Sequence, residues 1–539
     1  MVRNTKLVSL LGVLALAIAA ALVAVAGATS PSGPTLTGVP NANTRSAGYA
    51  PASALSPELS QTVVAQGATK LENPSALTSY YGYDNDVLNS AGQPVMVPTP
   101  SSGGKEAHKT EPDKNTYLVF KKGLTGADPN YDYGTHFLFQ GHEGGAGGAG
   151  YITRVNLDAD AAHRVTLMAT KDAFGSSLAT IDGSTWDPWA KRLIFTTENA
   201  NAPTYAMTPD YPALVTEISG ALGRGGYEGI QNDSAGDLYI DEDIGGANKP
   251  GTKAKQPNSY IYRYVPKTPG DLLHGKLQAL QVVNEGGEPI TFASQEAINS
   301  PDQLALHTYG SSFKTRWVTV HDTATEGNAP FVAGPLAKAA KATPFKRPEN
   351  GVFRPDSGFK QYFFDETGDT NAESVENAKA GGWGSIFELR QSAPSASTGT
   401  LRVFYNGDEA HAAFDNVAFL SKDQVTFVED AGDGLHAQRN ALDSGWVWNV
   451  NLDYAKAANQ PLRWLAEGRD ASATLDADNA GFGSNEGDNE ITGVYVSDGD
   501  TGTGGVLGTE SPNLGNSKWR WFYTQQHGDN FTYEVNLNR

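Results

Sequence analysis

The chain has 539 residues, with 60 Asp and Glu against 40 Lys and Arg, a formal net charge of −20 and no cysteine. That charge repels nucleic acid and gives no electrostatic reason to adhere to an anionic membrane; hard cations are the natural partners, although charge alone is explained as well by the solubility of an exported chain. Without Cys no disulfide can form, and stability must come from a large core and from bound ions.

Arg3 and Lys6 precede an unbroken small and apolar stretch from Leu7 to Ala26, and Ala26-Gly27-Ala28 offers a small-residue cleavage site. Residues 1–28 are therefore expected to be a signal peptide. The run is also about as long as a membrane span needs, roughly 20 residues, so an uncleaved anchor is the competing expectation. Either places the bulk of the chain outside the cytoplasm, secreted, periplasmic or on the cell surface. The lack of a twin-arginine pair favours a Sec-type route. No later segment approaches the length and apolarity of a membrane span.

Residues 29–110 read as a low-complexity, flexible arm and lead-in, rich to about residue 75 in Ala, Ser, Thr, Pro and Asn without apolar periodicity. Residues 111–539 read as a single all-β domain, in which short runs of Val, Ile, Leu, Phe, Tyr and Trp alternate with Gly, Asp, Asn and Pro clusters. Helical candidates are few, at Val332 to Ala342 and Glu373 to Ala380.

Within that domain an irregular repeat recurs, in which a turn leads into a short apolar strand that ends in acidic or amide residues. It runs through Leu193-Ile194-Phe195 into Glu198, through Leu238-Tyr239-Ile240 into Asp241-Glu242-Asp243, and through Tyr362-Phe363-Phe364 into Asp365-Glu366. It recurs at Val425 to Val428 into Glu429-Asp430 and at Trp519 to Tyr523 into Gln525-Gln526-His527. His136 to Gln140, running into His142-Glu143, would complete a set of six and suit a six-bladed β-propeller.

Asp182, Glu228, Glu349 and Asp415 lie 14 to 18 positions upstream of the first four strand ends. A strand advances about 3.3 Å per residue, so one hairpin brings both carboxylates to the same end of a blade. Radial repetition would gather them into a ring of oxygen ligands. A β-sandwich with the same residues as ordinary turn formers is the alternative.

Taken in order, His142-Glu143-Gly144-Gly145, Tyr227-Glu228-Gly229, Arg347-Pro348-Glu349, Phe414-Asp415-Asn416, Glu490-Ile491-Thr492-Gly493 and Gln526-His527-Gly528-Asp529 resemble the strand-end motifs of the PhoX-type alkaline phosphatases. The resemblance spans about 130 to 530. It implies a propeller with an axial cluster of calcium and iron ions that hydrolyses phosphate esters, with small phosphorylated substrates and metal ions as the partners. By it, Glu228 and Glu349 are metal-bridging carboxylates, and Asp415 is a ligand. Glu198, Asp241, Glu242, Asp243, Glu429 and Asp430 become further ligands or groups that brace them.

Arg347, two residues before Glu349, would hold phosphate oxygens, both side chains pointing the same way along an extended segment. A salt bridge to a neighbouring blade is its bland alternative. His527 and His142, each beside a glycine at a strand exit, could ligate a metal or donate to a leaving oxygen. Lys253 and Lys255 could meet an anionic substrate. The family's cysteine iron ligand, shortly before the stretch matched by Thr185 to Glu198, has no counterpart here, and Asp182 stands near its place. A thiolate favours transition metals, whereas a carboxylate hardens the site, so Ca²⁺ is expected and iron or another transition metal is in doubt. Asp476, Asp478 and Glu486 partly resemble a calcium loop. No Gly-x-Ser-x-Gly elbow supports a serine hydrolase. A calcium-stabilised propeller without catalysis, and a phytase-like calcium-dependent hydrolase, remain the other readings.

Overall fold

The computed structural model describes residues 32–45, 53–96, 100–144, 149–292, 298, 300–369, 377–469, 490–506 and 508–538. The expected signal segment, and Asp476, Asp478 and Glu486, lie outside them. Among the described residues no helix is long and apolar enough to cross a membrane.

From residue 112 onward the chain is a succession of antiparallel meanders. The first comprises Pro112–Val119, His136–His142, Tyr151–Asn156 and Val165–Ala169, and the second Ile181–Asp187, Arg192–Thr197, Tyr205–Met207 and Val215–Glu217. The third comprises Tyr227–Asn232, Leu238–Glu242, Ile261–Pro266 and Gly275–Val283, and the fourth Gly351–Phe353, Gln361–Glu366, Ser385–Gln391 and Thr398–Asn406. Phe414–Ser421, Gln424–Glu429, Ser444–Asn449 and Leu462–Ala466 form the fifth; Ile491–Ser497, Arg520–Gln525 and Phe531–Leu537 form the sixth. Ser312–Asp322 pairs with both Gly275–Val283 and Thr398–Asn406 and so fuses the third and fourth into one nine-stranded sheet.

The first strand of each meander is buried on both faces, as an inner strand must be. These strands neighbour one another in sequence order, and the sixth returns to the first. Polar side chains stitch the ring: Thr116 Oγ1 to Ser184 Oγ at 2.7 Å, Asn115 Nδ2 donating to the Gly493 carbonyl at 2.6 Å, and Asn416 Nδ2 donating to Thr492 Oγ1 at 3.1 Å. Apolar layers fill each junction, with Phe139 and Phe195 between the first two meanders, Phe363 and Phe419 between the fourth and fifth, and Trp464 against Trp521 between the last two. The fold is all-β and propeller-like.

All six strands of the sequence repeat are the second strands of these meanders. Their pairing with the first strands bears out the hairpin argument: Ile181 sits opposite Thr197, Tyr227 opposite Glu242, and Phe414 opposite Glu429. The lead-in differs from expectation, since Leu59–Ala65 is a strand that pairs with Phe531–Leu537 and completes the last meander. Ala54–Leu55 likewise pairs with Leu462–Ala466. Both cover sheet edges that would otherwise present unpaired backbone groups. The helix expected at Val332 to Ala342 spans Ala333–Ala339; of the one expected at Glu373 to Ala380, residues 373–376 lie outside the described residues and a short helical turn follows at Ala378–Gly382.

Candidate metal centre

The ends of the ring are not alike. At the end where first strands begin, the backbone is irregular in a repeated way. In the first, second, third, fifth and sixth meanders two residues of the first strand oppose one of the second, a β-bulge that falls on Asp113-Lys114, Asp182-Gly183, Glu228-Gly229, Asp415-Asn416 and Gly493-Val494. A bulge breaks strict alternation and re-aims a side chain. Four of the five carry a carboxylate. A second device precedes three of the acids at this end: Glu111, Arg347 and Ala413 have φ of 46°, 58° and 50°, each two residues before Asp113, Glu349 and Asp415. Left-handed backbone at bulky non-glycine residues is uncommon and accumulates at functional sites.

These devices collect carboxylates in two adjoining sets. Asp113, Glu143 and Asp182 each place an oxygen within 4.8 Å of the others, and Glu228, Glu349 and Asp415 do the same. Burial first, and then neighbouring carboxylates, hold Glu143, Asp182, Glu228, Glu349, Asp415 and Glu490 well above the usual carboxylate range. The same causes push Glu198 up to about 7, while burial takes Asp113 up to about 6. Asp113 Oδ1 and Asp182 Oδ1 are buried without a hydrogen-bond partner. Buried, crowded and incompletely bonded carboxylates of this kind are relieved by a cation. The donors are all oxygen, which fits Ca²⁺ or another hard divalent ion, and no sulfur donor is present to hold a softer metal.

Cationic side chains are built into the same end. Lys114 is buried, donates from Nζ to Asn416 Oδ1 at 3.1 Å, and faces Asp415, Asp113, Asp365 and Glu228, whose charges oppose the downward pull of burial on its ammonium. Arg347 grips Asp243 with two parallel bonds, Nε to Oδ1 at 2.9 Å and Nη2 to Oδ2 at 2.8 Å, and Nη2 lies 3.3 Å from Glu349 Oε1. Arg347 and Glu349 therefore meet, but through a left-handed turn and not through the extended alternation expected. Thr367 Oγ1 donates to Glu349 Oε1. Lys255 carries a charge close to Arg347, Asp243, Asp369 and Glu349.

His527, at φ 62°, stands with Nε2 3.5 Å from Glu490 Oε2 and 3.8 Å from Glu111 Oε1. Burial, with Lys109 and His436 nearby, pushes it down to about 4, so its imidazole is neutral. His142 is different: its two nitrogens lie 3.1 Å from Thr110 Oγ1 and 2.9 Å from Thr153 Oγ1, and Tyr151 stacks on its ring. It braces the first meander and faces no carboxylate set.

Several expected ligands sit elsewhere. Asp241 accepts from the Tyr362 hydroxyl at 2.7 Å, and burial pushes it up to about 8. Glu242 points the opposite way along its strand and accepts from the Tyr260 backbone N–H at 3.0 Å and the Tyr262 hydroxyl at 3.1 Å. Glu429 is engaged on both oxygens, by Arg439 at 3.2 and 2.9 Å, by the Ala412 and Ser444 N–H groups at 3.0 and 2.9 Å, and by Trp446 Nε1 at 3.0 Å. Glu242 and Glu429 thus lie outside both carboxylate sets. Asp430, next in the chain, feels Asp443, Arg347, His436 and Asp243, and burial raises it to about 6.

Sequence reasoning placed Asp182 in the ring of oxygen ligands, but it did not single out Asp113 or Lys114 and named Glu143 and Glu490 only within motifs. A signal existed for Asp113, because Glu111-Pro112-Asp113 repeats the pattern of Arg347-Pro348-Glu349.

A family model for the alkaline phosphatase PhoX matches residues 209–504, more than half of the chain. Among solved structures the chain is similar to Pseudomonas fluorescens PhoX in complex with vanadate, a transition state analogue, at 11% identity and TM-score 0.54, covering 92% of this chain and 98% of that one. It also matches a catalytically inactive virginiamycin B lyase from Staphylococcus aureus with quinupristin, at 11% identity, TM-score 0.29 and 79% and 99% coverage. The WD40 domain of Toxoplasma gondii coronin matches at 8% identity, TM-score 0.31 and 80% and 89% coverage. No curated protein matches the chain.

Proposed function

Because this chain belongs to the PhoX alkaline phosphatase family, a family of metal-dependent phosphatases, we propose that it is an exported enzyme that hydrolyses phosphate monoesters at the carboxylate-lined end of its ring. With one blade per meander the ring is six-bladed. The observation that carries the reading is the meeting of a free-edged guanidinium, Arg347, with two buried carboxylate sets at one end of the ring. A site that held calcium for structure alone would have no use for such an arginine.

Asp113, Glu143 and Asp182 would hold one part of a divalent cluster, and Glu228, Glu349 and Asp415 the other. Bound there, hard cations such as Ca²⁺ supply Lewis acidity and offset charge on the phosphoryl and leaving oxygens. Arg347 is fixed by Asp243 and Glu349 on one edge of its fork, which leaves Nη1 to bind a phosphoryl oxygen. Fixing that edge costs the arginine its rotamer freedom before substrate arrives. Lys255 adds a second positive charge beside it. Lys114 neutralises part of the charge between the carboxylate sets from within the protein. His527 is neutral and stands near Glu490 and Glu111, where its one ring N–H could donate a hydrogen bond to a departing alkoxide.

The test is p-nitrophenyl phosphate turnover by the purified chain before and after chelation, with Ca²⁺ or iron added back and the metal content measured. Turnover that survives removal of all metal would sink the proposal. Bound metal with no turnover would instead select the non-catalytic propeller, the reading favoured by the lack of a cysteine donor.

A further inference from the structure

At the far end of the ring, where first strands finish, lies a cavity of about 1060 Å³ at the junction of the first, second and sixth meanders. The strand Pro112–Val119 runs from Asp113 to this cavity, and at about 3.3 Å per residue it separates the two ends by roughly 20 Å. The cavity is therefore no part of the carboxylate site.

Its lining is unusual for a chain with a net charge of −20. Two turns from neighbouring meanders, a β-turn closed by Gly123 N–H to the Phe120 carbonyl at the start of the long connection after Val119 and the tight hairpin after Asp187, each present a pair of adjacent cations, Lys121-Lys122 and Lys191-Arg192. Gly123 at φ 70° and Lys191 at φ 54° hold the turns tight. Phe120 and Trp186, which flank the two pairs, meet edge to face at 5.5 Å and lock the turns side by side. Trp186 is itself fixed, its Nε1 donating to the Thr501 carbonyl at 3.0 Å.

Among the described residues none of these four cations forms an ion pair. Of the four carboxylates in the lining, Asp158 is engaged by His136 and the Thr135 N–H and Asp498 by Lys518, while Asp210 accepts from the N–H and hydroxyl of Thr125 and Asp500 from the Gly502 N–H. Arg520, also in the lining, is held by Glu534. These four cations outnumber Asp210 and Asp500, the two lining carboxylates bonded only to neutral donors, and an anion bound between the cation pairs offsets the repulsion that is left. The volume lies at the upper end of small-molecule sites, about 300–1,000 Å³, and exceeds what a single phosphate fills. The half-buried Trp186 and Phe120 offer a flat apolar wall beside the charges.

We infer that this cavity is a second ligand site, which takes a polyanion bearing a flat apolar group, the chemistry of a nucleoside di- or triphosphate. The phosphates lie between the two cation pairs and the ring system lies against Trp186 and Phe120. Occupancy does not require the carboxylate site.

Adenosine 5′-(β,γ-imido)triphosphate is the probe, titrated calorimetrically into the metal-loaded full chain at low and moderate salt, with tripolyphosphate and adenosine as comparisons. We expect a nucleotide site that binds more tightly than it binds either comparison, weakens with salt, and remains at one per chain in Arg347→Ala, where the carboxylate end has lost its phosphate-binding arginine. K121E/K122E should weaken nucleotide binding at least tenfold and leave p-nitrophenyl phosphate turnover within twofold. Trp186→Leu should remove the preference for nucleotide over tripolyphosphate. Equal nucleotide affinity in wild type and K121E/K122E, or loss of binding in Arg347→Ala, overturns the inference. So does tripolyphosphate binding as tightly as the nucleotide, or capture of phosphatidylserine vesicles with no binding of the free probe.

Discussion

The two ends of the ring are built from the same strands and have opposite characters. Where first strands begin, bulges and left-handed residues turn carboxylates inward until Asp113, Asp182, Glu228, Glu349 and Asp415 crowd together. Where the same strands finish, a β-turn and a hairpin bring lysine and arginine to a cavity with aromatic walls. Regular pleating would send alternate residues to opposite faces and could not concentrate acids at one end. Local departures from the pleat do so, and in five of the six meanders a bulge between the first two strands falls at the end that holds the proposed chemistry.

That contrast can be broken most forcefully by removing metal. Chelation should abolish phosphomonoester turnover and lower the thermal midpoint, with both restored by Ca²⁺; persistence of activity in metal-free protein, confirmed by elemental analysis, would dissolve the distinction between the ends. Next in size is Arg347→Ala, which should reduce kcat/KM by about 10²–10³-fold, the usual loss when one preorganised charge-stabilising donor is removed. Arg347→Lys should recover little, because one ammonium cannot reproduce the fork held by Asp243.

A third experiment separates carboxylates that face the cluster from those that do not. Glu429→Gln should leave metal content unchanged while lowering stability by about 1–3 kcal/mol in urea denaturation, because buried Arg439 would keep Asp443 but lose the charge of its other partner. Glu349→Gln should have the reverse emphasis, with metal lost and stability of the chelated protein scarcely changed. Equal metal loss in both variants would show that Glu429 belongs to the cluster after all.

The metal-free protein should also depend on pH in a direction set by its acids. Burial, and for Glu198 neighbouring charge, raises Glu198 from 4.5 to about 7 and Asp241 from 3.8 to about 8. Folded protein therefore binds more protons than unfolded protein in that interval, and its stability falls as pH rises from about 4 to 8. Urea midpoints of chelated protein should decline across this range, and those of metal-loaded protein should decline less. The smallest expected effect is at the far end, where K121E/K122E should leave both metal content and thermal midpoint unchanged within error. A large change in either would mean that the two ends are linked.

Much of the architecture was legible because strand and turn chemistry are local. Runs such as Leu238-Tyr239-Ile240 and Tyr362-Phe363-Phe364, bounded by Asp and Gly, identified the second strand of every meander, and the chain distance back to Glu228 or Asp415 identified the partner at the same end. Less legible was the strand Leu59–Ala65, whose Ser, Gln and Thr resemble the arm around it and whose pairing partner lies more than 460 residues away. Consecutive acids were harder still. Asp241, Glu242 and Asp243 look alike as text, yet one meets Tyr362, one turns outward to Tyr262, and one holds Arg347. Glu429 was expected at the metal and is instead clasped by Arg439, a residue on a helix that the spacing of the strands gave no reason to place there.

By itself, then, the sequence determined an acidic, cysteine-free, all-β chain with carboxylates at repeated strand ends, since hydrophobic alternation, turn residues and composition act over a few positions. Only the tertiary structure decided which carboxylates converge, that Lys114 and Arg347 stand among them, and that unpaired cations gather at the opposite end. Those outcomes depend on bulges, left-handed turns and ring closure, which set the direction of a side chain through residues hundreds of positions apart.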